Sequence, residues 1–426
     1  MGRLMTQKQL KTPYKQPFLS TGASSVSAGR LGGDLEGSDA SGLALYVHWP
    51  WCLQKCPYCD FNSHAASQFP RESYVDAVCR ELTAWRGRLG PQRVVSVFFG
   101  GGTPSLMKGE EIGQILAKIG QLFNISTDIE ITAECNPTSA KGAVFSDFAA
   151  AGINRFSIGV QGLSAKNLAF LGRAHSEKEA LGSLELALKS VKNVNADLIF
   201  GLPEQSLPEW LTQLETMTKL GLTHLSCYQL TIEPNTAFYS QVKRGQWQPL
   251  DGDRQADFME ATREVLLGAD YEHYETSNYA RPGLACKHNA HIWRYGNYLG
   301  VGAGAHGRVM ENNRRLATRV RKDPADYLIR MGGENHSALV EEELIIPAVA
   351  WREAVMMGLR LTEGIDLQRL ERVIHTPVES SGLNMGQLGH LREQGLMWQK
   401  GSSWGVSTKG AFVLDAILEA IFSKPV

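Results

Sequence analysis

Cys52, Cys56 and Cys59 stand in a C-x3-C-x2-C spacing at the end of an apolar run, inside Tyr46-Val47-His48-Trp49-Pro50-Trp51-Cys52. Three thiolates in one loop can hold three irons of a [4Fe-4S] cluster and leave the fourth iron without a protein ligand. That open iron can be chelated by the amino and carboxylate groups of a small molecule, which sets a bound sulfonium beside a one-electron donor. Zinc is the alternative. A closed structural zinc site takes four protein ligands, and neither flank of the loop supplies a second pair of cysteines.

The chain carries seven cysteines, an odd number, so metal or redox chemistry in a reducing compartment fits better than a secreted disulfide framework. Cys79, Cys135 and Cys227 are isolated and read as small core residues. Further polar candidates recur at the ends of apolar runs. Gly100-Gly101-Gly102-Thr103-Pro104 lacks the Cβ atoms that would keep a ligand from the backbone. Glu134 and Gln161 close two further runs, Asp197 lies within another, and Arg173 offers a guanidinium fork that matches a carboxylate.

These residues need a frame. Leu43 to Val47, Val94 to Phe99, Ile129 to Ala133, Phe156 to Val160, Ala196 to Phe200 and Leu225 to Leu230 are short, apolar and β-rich, and read as six buried strands. Between them, Tyr74, Val78, Leu82 and Trp85 repeat at helical spacing, as do Leu181, Leu184, Leu188 and Val191. Connections of that length require parallel pairing with right-handed crossovers, so the expected fold is an α/β partial (βα)6 barrel. In such folds ligands lie at the C-terminal ends of the strands, where the candidate residues cluster.

The rest of the chain divides around that barrel. Residues 1–42 lack periodicity and are rich in Ser and Gly towards their end, as expected of a disordered leader. Its five basic residues among the first 33, with no acidic ones, weakly resemble a mitochondrial transit peptide. Residues 43–233 form the barrel, 234–345 read as a subdomain capping it, and 346–426 as a helical, winged-helix-like module with a turn at Gly401-Ser402-Ser403. Lys plus Arg total 43 against 44 Asp plus Glu, which gives no electrostatic case for nucleic acid and favours a docking role for the module. No apolar run approaches the ~20 residues that span a bilayer. Gly302 to Gly307 spells G-x-G-x-x-G, but the polar, basic segment that follows is no dinucleotide-fold helix.

The cysteine motif is identified as that of the radical S-adenosylmethionine (SAM) superfamily. The resemblance implies a [4Fe-4S] cluster on Cys52, Cys56 and Cys59 that, when reduced, cleaves SAM to methionine and a 5'-deoxyadenosyl radical. From about residue 43 to 310 the chain resembles the oxygen-independent coproporphyrinogen dehydrogenase (HemN) family, which implies SAM contacts at Tyr46, Tyr58, Gly101, Gly102, Thr103, Glu134, Gln161, Arg173 and Asp197. HemN enzymes carry a fourth cysteine two positions after the third; here Asp60 and Phe61 follow Cys59. Cys56-Pro57-Tyr58-Cys59-Asp60-Phe61-Asn62 instead resembles the HemW haem chaperones, as does His288-Asn289-Ala290-His291-Ile292-Trp293, where Ile292 replaces a tyrosine of the family's haem motif. The implied function is to bind haem as cargo and hand it to haem-requiring proteins, membrane-associated ones among them. The alternative is anaerobic oxidative decarboxylation of coproporphyrinogen III. His288 is the candidate ligand of haem iron, with His291 and Cys286 as rivals and Trp293 and Tyr295 as flat faces for the macrocycle. The implied compartment is cytoplasmic, or mitochondrial if the leader is a transit peptide, and a homodimer is compatible with the resemblance.

Overall fold

The computed structural model describes residues 42–422 except 141 and 335. The expected leader, apart from Gly42, lies outside the described residues. Each of the six expected strands is present: β1 Leu43–Trp49, β2 Arg93–Gly101, β3 Asn124–Cys135, β4 Arg155–Gln161, β5 Asn193–Phe200 and β6 His224–Gln229. They pair in that order, all parallel. Period-two alternation explains why they stay together. Val97, Phe99, Phe156, Ile158, Val160, Val194 and Ala196 pack in the main hydrophobic core with the helices, so Ser96, Phe98, Ser157, Asn195 and Asp197 face the other way, into the barrel.

Helix α1, Arg71–Leu89, buries Tyr74, Val78, Leu82 and Trp85 to 3% exposure or less, as its spacing predicts. Helix α2, Glu177–Ser190, begins with a reciprocal cap: Ser176 Oγ accepts from the Glu179 N–H, and the Glu179 carboxylate accepts from the Ser176 N–H. Its buried stripe differs from the expected one. Ala180, Ser183, Leu184 and Ala187 face inward, while Leu181, Leu188 and Val191 are half-buried. The small residues let the helix approach the sheet closely, and the leucines flank that contact.

Residues 234–345 do not form the expected cap. They extend the same sheet at both edges, to twelve strands. Beyond β6 come β7, Glu272–Glu275, and β8, Asn278–Ala280, with β8 antiparallel to β6. Beyond β1 comes β9, Asn297–Val301, a seventh parallel strand, followed by antiparallel β10 His306–Glu311, β11 Arg314–Val320 and β12 Leu339–Leu344 at the edge. The G-x-G-x-x-G string is the turn from β9 to β10 together with the first two residues of β10. In that segment the strands are short, interrupted by Gly300 or laced with arginine, which hides their period.

The C-terminal region is a separate core of helices around Trp351, Leu370, Leu391 and Trp404. A three-stranded sheet joins it, Ile365–Asp366, Ser403–Val406 and Met397–Lys400, the last two hairpinned at Gly401. Buried ion pairs fasten it to the barrel: Glu275 with Arg360 at 2.7 Å and Arg308 with Glu353 at 2.9 Å.

Candidate functional site

The cysteine loop leaves β1 at the open ends of the parallel strands. Two carbonyls of its first turn accept from the glycine loop after β2: the Gly102 N–H donates to Trp49 O at 2.6 Å and the Thr103 N–H to Trp51 O at 2.8 Å. A Cβ on Gly102 would stand 2.5 Å from the Trp51 oxygen and 2.9 Å from that of Trp49. Gly101, at φ +115°, would drive a Cβ to 2.5 Å from the His48 ring. The consecutive glycines therefore seat the cysteine-bearing backbone. This seating role comes in addition to the ligand approach that their composition suggested.

His48 ties the far side of the loop. Burial lowers its pKa to about 4, so the ring carries a single proton at neutral pH. Nε2 donates to Asn62 O at 2.8 Å, hence Nδ1 accepts from the Tyr46 hydroxyl at 3.1 Å. Asn62 Nδ2 in turn donates to Ala303 O and Lys322 O. Between these anchors Pro57 O accepts from the Phe238 N–H. The Arg173 guanidinium spans Gly159 O at 2.7 Å and the Cys56 thiol at 3.6 Å.

Around that loop the proposed SAM residues come together. The Gly101 N–H donates to Glu134 Oε2 at 3.0 Å. Asp197 accepts from Ser157 Oγ at 3.0 Å and Asn195 Nδ2 at 2.8 Å, and its charge bears on Glu134. A Cβ on Gly159 would come 2.9 Å from Gln161 Nε2 and 3.4 Å from Arg173 Nη2, so that glycine clears the space both side chains share. Tyr58 lies beside Arg173 and Cys56, and Thr103 beside the Cys52 thiol. Sequence reasoning missed His48 as a strap, Asn62 and Gly159. Only Gly159 had a signal, a glycine inside a strand.

Among the described residues no three or more His, Cys, Asp or Glu side chains are gathered as for a single metal ion. Three soft donors on one strapped loop, with a basic fork at Cys56 and glycines clearing its floor, suit a cluster whose irons are ligated one thiolate each. Burial raises the Cys52 thiol, and pushes that of Cys59 up to about 11, so thiolate formation there depends on a compensating cation.

Glu134 gives the site a pH dependence. Burial, then the charge of Asp197, raises its carboxyl to about 8. A group raised in the folded state contributes stability that is fully present below its unfolded value and lost as pH rises through the folded one. The stability of the ligand-free protein should therefore fall between about pH 5 and pH 8.5 relative to Glu134→Gln. Chemical denaturation of both proteins across that range checks this; parallel pH profiles would count against a protonated Glu134.

The haem motif is placed differently from the sequence reading. Helix α3, Lys287–Trp293, lies across the barrel's lower interior, with its first N–H groups donating to Glu130 of β3. His288 is 3% exposed, its Nδ1 is 2.9 Å from Ser96 Oγ, and its ring lies against Phe98. Trp293 and Tyr295 are not open faces for a macrocycle: Arg360 covers the first at 4.6 Å and Arg315 the second at 3.9 Å. His291 Nε2 is engaged by Asn297 O, and Cys286 donates its thiol proton towards Glu130.

Comparison with known proteins gives a consistent picture. The Radical SAM superfamily model matches residues 46–216 and the HemN C-terminal domain model residues 346–413. Heme chaperone HemW of Escherichia coli is 37% identical over 90% of this chain and 98% of its own length. The bovine mitochondrial radical S-adenosyl methionine domain-containing protein 1 is 35% identical over 89% of this chain and 87% of its own. Among solved structures, E. coli coproporphyrinogen III oxidase (HemN) superposes with a TM-score of 0.75 at 22% identity, covering 90% of each chain.

Proposed function

The chain belongs to the HemW family of the radical SAM superfamily, and on that premise we propose that it binds haem and passes it to haem-requiring proteins, with a [4Fe-4S] cluster and SAM as cofactors. The similarity to HemW over nearly the whole of both chains carries this reading. The sequence after the third cysteine supports it, because Asp60 and Phe61 stand where the dehydrogenase motif continues to a fourth cysteine. Cys52, Cys56 and Cys59 would hold the cluster, which would supply one electron to a bound sulfonium. Tyr46, Tyr58, Gly101, Gly102, Thr103, Glu134, Gln161, Arg173 and Asp197 would hold SAM: the carboxyls of Glu134 and Asp197 accept from its donors, and Arg173 steadies the Cys56 side of the loop.

For haem as cargo, the proposed iron ligand is His288. Burial, then His291 and Arg155, lowers its pKa to about 3, so the imidazole is neutral and its lone pair is available to iron. Ser96 fixes the ring from the Nδ1 side. By strand rise, Ser96 lies about 17 Å below Gly101, so an iron held by His288 would stand apart from the cluster loop. A cytoplasmic location, or a mitochondrial one like that in the bovine relative's name, belongs to the same reading; no described helix is long and apolar enough to cross a membrane.

The test is parallel titration and turnover on the anaerobically reconstituted protein. Haem should bind with a shifted Soret band and coproporphyrinogen III should not be converted. His288→Ala should erase or shift that band while the cluster absorbance stays. Sustained conversion to protoporphyrinogen IX with SAM cleavage would overturn the chaperone reading.

A further inference from the structure

The barrel interior contains a cation that none of the cofactor contacts uses. Arg155 opens β4 on the face shared by Ser157, Gly159 and Gln161, so its side chain points into the barrel while Phe156 and Ile158 pack outward. It is 2% exposed, and its Nε is buried with no hydrogen-bond partner. A buried guanidinium donor left unmet is costly, so such a group marks a position where an acceptor belongs.

The neighbouring anions do not meet that need. Glu130 and Asp197 act on Arg155 through space, but their oxygens are engaged elsewhere. Glu130 accepts from the backbone N–H groups of Lys287 and His288 and from the Cys286 thiol. Asp197 accepts from Ser157 and Asn195. These donors offset both carboxylates, while Nε of the guanidinium is left without an acceptor. The other polar neighbours are also satisfied: His224 is bound to Asn195 Oδ1 at 2.7 Å and to the Tyr274 hydroxyl at 2.8 Å. His288 is close enough for the charge of Arg155 to disfavour its protonation.

We propose that Arg155 anchors a carboxylate of the ligand held inside the barrel and, resting on the haem reading above, that this carboxylate is a propionate of the macrocycle whose iron His288 takes. A planar fork and a carboxylate make two parallel charge-assisted hydrogen bonds, and a propionate extends sideways from a ring bound through its iron. Arg155 fixes the ring's rotation about the iron–His288 axis.

The carboxylate of SAM is the other source of the same chemistry, and the experiment separates the two. Haem and haem dimethyl ester are titrated into the reconstituted full chain and into Arg155→Gln, with SAM affinity measured alongside. The wild type should prefer haem to the diester by about tenfold to a hundredfold. The variant should lose that preference by weakening on haem alone, with SAM affinity and cluster absorbance unchanged. An unchanged haem-to-ester ratio in the variant, with or without a loss of SAM affinity, overturns the anchor and leaves the haem reading standing. Failure of the wild type to bind haem overturns both. If the glutamine protein does not fold, Arg155→Lys decides: a severalfold smaller ratio supports the anchor, and an unchanged ratio overturns it.

Discussion

Cys52→Ser, Cys56→Ser and Cys59→Ser should each abolish the iron-sulfur absorbance of the reconstituted protein, whereas Cys79→Ser and Cys227→Ser should leave it intact. Each loop thiolate would bind a different iron, so none can cover for another, and a serine hydroxyl is a much harder and less acidic donor. The remaining cysteines sit elsewhere in the fold. Cys79 is half-buried on α1 against the main core, and Cys227 is 3% exposed in β6. Iron and sulfide analysis with electronic absorption reads the result. Stoichiometric zinc without iron after anaerobic reconstitution would reject the cluster.

Gly102→Val should be nearly as severe, and for a reason beyond the SAM pocket. Its Cβ would collide with the carbonyl oxygens of Trp49 and Trp51, which are backbone atoms next to Cys52 and cannot rotate away. The expected result is loss of both the cluster and SAM binding, SAM affinity falling by about a hundredfold or more. Asp197→Ala should weaken SAM binding alone, since Asp197 does not touch the cysteine loop. Calorimetry with SAM, paired with the cluster spectrum of each variant, separates these outcomes; a Gly102→Val protein with a full cluster and wild-type SAM affinity would show that the loop is not seated as described.

The parallel strands and α1 were legible because their apolar residues follow one period without interruption. The cysteine loop was legible because its spacing is chemical and needs no fold to interpret. What pins that loop was not: His48 reaches Asn62, and Asn62 reaches Ala303 and Lys322, through contacts far apart in the chain, and no local pattern encodes them. The haem motif misled in a similar way. Trp293 and Tyr295 look like free aromatic faces in sequence, yet Arg360 and Arg315 arrive from other segments to cover them. Strands β9 to β11 escaped notice because glycine and arginine break their alternation, and β12 because three consecutive glutamates do.

The outermost strand also bears on how the molecule keeps to itself. Among the described residues β12 presents an open row of backbone donors and acceptors, with Val340 and Leu344 exposed, the ingredients of a template for fibril growth. Its sequence also carries Glu341, Glu342 and Glu343. Arg319 pairs with Glu341, and Arg88 is shared between Glu311 and Glu342, so the edge keeps an excess of negative charge. Two copies meeting there would set like charges face to face, a guard against accretion that salt weakens by screening.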